Sequence, residues 1–198
     1  MRLDPAKLLL PLVIATTAAT GSGAAAHTFG AQGAGLAQGF LHPLSGLDHL
    51  LAMVAVGLWA AQRGGRALWA VPAAFVGMMA VGGAAGAIGA PLPLVELGIA
   101  GSLIVLGLAV ALSVRLPIAA SAVLVGLFAL FHGHAHGTEL PETASALQYG
   151  LGFIAATAAL HGLGVAIGAA LKRDAGRALV RIGGAGIAAT GLVLAAAL

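Results

Sequence analysis

Apolar residues dominate the chain in long runs, broken at intervals by short stretches holding glycine, proline or charge. Beyond residue 40 six such runs are long enough to be helices crossing a bilayer: Ser45–Ala61, Ala67–Gly89, Leu94–Leu112, Pro117–His136, Thr143–Leu171 and Arg177–Ala197. A crossing needs about 20 predominantly apolar residues, and each run approaches or exceeds that length. The Gly-rich stretch Thr28–Leu41 is too short. It is read as an interfacial or re-entrant piece.

The first residues follow a different pattern. Arg2 and Lys7 precede the apolar stretch Leu8–Ile14, and a run of small residues ends in Ala24-Ala25-Ala26. A basic start, a short apolar middle and an A-x-A site are the parts of a cleavable signal peptide. Residues 1–26 are therefore predicted to be the signal and 27–198 a single transmembrane domain whose mature chain begins at His27; an uncleaved first helix is the alternative.

Composition agrees with the pattern. Of the 198 residues 60% are hydrophobic and 8% charged, against roughly a quarter charged in a soluble domain. The expected fold is all-α, a polytopic transmembrane bundle of six crossings after the signal peptide. The formal charge of +3 is carried by too few residues to build a face for nucleic acid. No phosphate-binding G-x-x-x-x-G-K-[ST] loop is present, so ATP is not an expected partner. Cysteine is absent, which excludes disulfides and thiolate metal sites.

Charge also sets an orientation. Arg63 and Arg66 follow the first crossing, Arg115 the third, and Lys172, Arg173, Arg177 and Arg181 the fifth. The intervening loops are Ala90–Pro93, without charge, and Gly137–Glu142, which is acidic. Basic loops favour the cytoplasmic side. The predicted location is the inner membrane of a bacterium, with the mature N-terminus in the periplasm. Glycine pairs four apart, Gly35/Gly39, Gly82/Gly86 and Gly164/Gly168, are the spacing that lets helix backbones approach closely.

Ionisable residues inside such crossings are expensive and mark function. His42, Asp48 and His49 open the first crossing. With Pro43 at the first helical position and about 100° per residue, His42, Gly46, His49 and Met53 would form one stripe. Asp48 either joins His42 and His49 at a common centre or orients one imidazole. His132 and His136 close the fourth crossing at i, i+4, on one helix face. His134 lies nearly opposite. Both clusters belong to the same, extracytoplasmic end. Glu96, in the first turn of the third crossing, either adds a carboxylate or stabilises the helix dipole. His161 is deeper, either a relay ligand or an interhelical hydrogen-bonding residue. His27 would place an α-amine beside an imidazole, a bidentate pair, or is incidental to the cleavage site. Imidazole and carboxylate without thiolate suit Ni²⁺, Co²⁺, Zn²⁺ or Cu²⁺.

The stretch His42-Pro43-Leu44-Ser45-Gly46-Leu47-Asp48-His49, continuing through Met53, resembles the H-P-x-x-G-x-D-H-x-x-x-M signature of the HupE/UreJ family. Phe131-His132-Gly133-His134-Ala135-His136-Gly137-Thr138-Glu139 is similar to its second signature, F-H-G-x-A-H-G-x-E. The resemblance implies a permease for Ni²⁺, with Co²⁺ as the other cargo, serving hydrogenase or urease maturation. It implies metal-handling roles for His42, Asp48, His49, His132, His136 and Glu139, and leaves His134 at a variable position. It implies no enzyme and no prosthetic group. Two readings from other classes stand beside it. One is an intramembrane zinc hydrolase held by His42, His49 and His132, although the chain has no H-E-x-x-H. The other is a metal-binding accessory protein that transports nothing.

Overall fold

The computed structural model describes residues 34–140 and 145–198. Over these residues the chain is all-helical, without strands. Its seven helices are α1 (Ala34–Ser45), α2 (Leu47–Arg63), α3 (Ala67–Ala87), α4 (Val95–Ala111), α5 (Ile118–Thr138), α6 (Ala146–Ala170) and α7 (Asp174–Ala196). The predicted signal segment, its cleavage site and His27 lie outside the described residues.

Each of the six apolar runs becomes one helix, α2 to α7, within a few residues of the expected ends. The ends follow from local chemistry. Gly64, at φ 70° and ψ −172°, adopts a positive-φ backbone that glycine alone takes readily, and α2 ends there. Pro117 precedes the first turn of α5, and the Ser145 hydroxyl caps α6 by accepting from the Gln148 amide. Four helices, α3, α5, α6 and α7, are long and apolar enough to cross a membrane, and α1 with α2 makes a fifth if that bent pair counts as one span. The run predicted as the third crossing is helical but has 17 residues, or about 26 Å at 1.5 Å per residue. The structure thus carries four or five of the six expected crossings by length and apolarity.

The expected stripe through His42, Gly46, His49 and Met53 does not form. Pro43 lies inside α1 rather than opening a helix. The helix breaks at Gly46, whose backbone is extended (φ −94°, ψ 118°), and α1 turns by 83° from α2. His42 therefore ends one helix and His49 begins another. Proline in α1 and glycine three residues later weaken helical continuity at this point, since the first removes an N–H donor and the second favours non-helical backbone.

Five of the other six described helices, α1, α3, α4, α6 and α7, pack against α2. Its residues Ala52 to Ala61 are almost wholly buried, and the core they enter includes Trp59, Met53, Phe75, Met79, Leu103 and Leu106. Outward positions are apolar too: Val123, Leu127, Ile182 and Val193 are all more than half exposed. Such faces suit lipid, which solvates them without cost.

Close packing depends on glycine. A methyl group at Gly133 of α5 would overlap the Met79 carbonyl of α3, and one at Gly137 the Gly83 carbonyl. Between α2 and α6, Gly57 and Gly164 meet in the same way. Backbones this near can replace the missing hydrophobic drive between helices in lipid with van der Waals contact. Gly133→Val should push α3 and α5 apart and destabilise the fold by about 1–3 kcal/mol, the usual cost of overpacking. Thermal unfolding of the purified protein measures it, with Gly150→Ala as the control, because a methyl group there meets nothing.

Candidate metal centre

The sequence around α5's C-terminal end, His132-Gly133-His134-Ala135-His136-Gly137, sorts its residues by face. Gly133 and Gly137 back onto α3. With 100° between neighbours, His132 and His136 then project to one side of that contact and His134 to the other. Across from His132 and His136 lie the end of α1 and the start of α2.

Four imidazoles meet there, edge to face. His42 and His136 have ring centroids 4.6 Å apart, His136 and His49 4.2 Å, and His49 and His132 4.7 Å. His49, His132 and His136 are buried. His42 is partly exposed at the mouth, where its Nε2–H donates to Glu139 Oε2 at 2.9 Å. That hydrogen bond holds the Glu139 carboxyl below its ordinary pKa. One ligand atom each from His42, His136 and Glu139 lies within 4.8 Å of the other two, close enough to share a cation.

Hydrogen bonding assigns the free nitrogens. Asp48 Oδ1 accepts from the His49 amide at 2.8 Å and from His49 Nδ1–H at 2.9 Å, so the neutral ring's lone pair is on Nε2. Asp48 thus orients an imidazole, one of the two roles open to it from the sequence. The Ser102 hydroxyl lies 2.6 Å from the Ile99 carbonyl and 2.8 Å from His132 Nε2. A carbonyl only accepts, so the single hydroxyl hydrogen is committed to Ile99 and Ser102 must accept from His132 Nε2–H. That puts the His132 lone pair on Nδ1. His49 Nε2, His132 Nδ1 and both nitrogens of His136 are buried without a partner among the described residues. Neutral, unpaired imidazole nitrogens of this kind fit a borderline divalent cation.

The remaining predicted residues divide. Glu96 lines the same cleft of about 200 Å³ as His42, Asp48, His49 and Glu139. His134 does not join the group: its Nε2–H donates to the Ala90 carbonyl at 2.7 Å and ties α5 to the loop before α4. His161 is separate as well, buried and unpartnered on α6. The Phe75 ring touches both it and His132, with centroids 5.1 and 5.7 Å away.

Two residues were not found from the sequence. Ser102 was one, although it is the sole hydroxyl in the apolar run of α4. Tyr149 was the other; it is buried with its hydroxyl unpartnered and its ring 5.8 Å from His42.

The family profile described as HupE / UreJ protein matches residues 14–194. The chain belongs to the HupE/UreJ family. It is similar to Protein HupE of Rhizobium leguminosarum bv. viciae, 46% identical over 160 residues, covering 81% of this chain and 84% of the relative. No solved structure matches it. The matched residues include the two stretches, 42–53 and 131–139, that supply all four contacting imidazoles.

Removing the Ser102 hydroxyl frees the His132 ring to change tautomer. For a divalent cation taken up by this candidate centre, Ser102→Ala should weaken binding by about 10–100-fold, the usual effect of losing a partner that orients a ligand. Ser102→Thr, which keeps the hydroxyl, should restore most of it. Titration calorimetry of the purified variants measures both.

Proposed function

We propose that the chain is a permease for Ni²⁺, accepting Co²⁺ through the same ligands, in the inner membrane of a bacterium. In this reading α1 with α2 forms one crossing, α4 a short one, and the mature N-terminus is periplasmic. The ion travels inward to serve maturation of hydrogenase or urease.

The observation that carries the reading is the meeting of four imidazoles and a carboxylate from two distant segments at one end of a helical bundle. Glu96, Asp48 and Glu139 at the mouth concentrate a dication electrostatically. His42, His136 and Glu139 take it first, replacing hydration waters with nitrogen and oxygen donors. His49 Nε2, held by Asp48, and His132 Nδ1, held by Ser102, draw it inward to a dry position. His161, beyond Phe75, is the next group able to bind it.

Uptake of radioactive nickel into vesicles holding the purified protein tests this reading. The wild-type protein should accumulate the ion above empty vesicles. His49→Ala and His136→Ala should each remove at least nine-tenths of that uptake while inserting normally, because both changes make their helices more apolar. Binding without accumulation would sink the permease reading and favour a metal-binding accessory.

A further inference from the structure

The end of the bundle opposite the histidines holds a second concentration of charge. A cleft of about 530 Å³ opens between the ends of α2, α4 and α6 and the start of α7, lined by Arg63, Arg115, Lys172, Arg177 and Arg181 together with Gln62. No carboxylate among the described residues lines it. Among the described residues none of the five cations is in an ion pair.

Two ordinary causes explain part of this. Basic residues collect on one side of a membrane protein, and they cap the carbonyl ends of helices. Arg181 Nε–H donates to the Ala111 carbonyl at 2.7 Å, and Arg177 Nε–H to the Lys172 carbonyl at 2.7 Å. Neither cause requires the side chains to converge on one concavity. The end of α2, the loops after α4 and α6 and the start of α7 supply them, and like charges so placed repel one another. Anchoring through Nε also leaves the outer guanidinium N–H groups of Arg177 and Arg181 without an acceptor among the described residues. A planar fork of such donors matches the oxygens of a phosphate group.

We propose that this cleft is a binding site for a phosphate oxyanion. Arg177 and Arg181 would present paired donors from fixed positions, with Arg63, Arg115 and Lys172 adding charge around them. The phosphate has two possible sources, the headgroup of an acidic phospholipid in the adjoining leaflet or a phosphate compound in solution. Basic clefts at helix ends recognise acidic headgroups by this chemistry. The proposal does not depend on the metal reading, since it uses none of the same residues.

Thermal unfolding in detergent, where a bound ligand raises Tm, tests it. Dioleoylphosphatidylglycerol, dioleoylphosphatidylcholine and inorganic pyrophosphate are added separately to the full chain. The expected result is a rise of several degrees with phosphatidylglycerol, none with phosphatidylcholine, and loss of the rise at high salt. A rise with pyrophosphate alone would also support the site and assign it to a soluble ligand. The double variant Arg115→Gln/Lys172→Gln should lose most of the rise. Neither side chain makes a hydrogen bond to the protein among those resolved, so folding should survive. Arg115→Lys/Lys172→Arg, which preserves both charges, should restore it, and Arg66→Gln, outside the cleft, should not affect it. Equal rises with phosphatidylglycerol and phosphatidylcholine, no rise with any ligand, or an undiminished rise in the double glutamine variant would each overturn the proposal.

Discussion

The close approach of α3 and α5 governs where the chemistry goes. With Gly133 and Gly137 pressed against the carbonyls of Met79 and Gly83, α5 has almost no freedom to rotate about its axis. Its histidines are thereby assigned: His132 and His136 face α2 and α1, and His134 faces the loop at Ala90. A helix packed through larger side chains could settle at several rotations. Backbone contact through glycine permits few, and this is what turns an i, i+4 spacing into a fixed pair of imidazoles.

The other half of the cluster depends on a break. An unbroken helix through residues 42–49 would carry His42 about two turns away from His49 along its axis. The 83° turn at Gly46 folds α1 back, so that His42 and His49 both contact His136. The turn also exposes the first amides of α2, and Asp48 accepts from one of them while holding the His49 ring. One carboxylate thus serves both the helix end and the imidazole.

Burying these rings is unfavourable in the ion-free protein. A buried polar atom without a hydrogen bond costs about 1–3 kcal/mol, and four such imidazole nitrogens lie in the cluster. A fold selected for stability alone would have no reason to retain them; a site that must exchange water for protein donors does. The same α2 that starts beside these electron-rich groups ends at Arg63, among uncompensated cations. The described helices are therefore polarised along the bundle, with imidazoles and carboxylates gathered at one end and guanidinium and ammonium groups at the other.

Much of this was legible in the chain itself. Hydropathy located six of the seven described helices because the cost of exposing polar backbone to lipid is local and severe, and glycine and proline marked several of their ends. The pairing of His132 with His136 followed from helical periodicity, and the two signatures identified the family. The break at Gly46 was not legible, because proline favours a helix start and only the fold places Pro43 inside a short helix instead. Nor were the departure of His134, the Ser102 bond that sets the His132 tautomer, the burial of Tyr149 beside His42, or the gathering of five cations from the ends of α2, α4 and α6 and the start of α7 into one cleft. These depend on how each helix is rotated and which neighbour it meets. Short-range pattern carries no information about that, because rotation is decided by contacts between residues far apart in the chain.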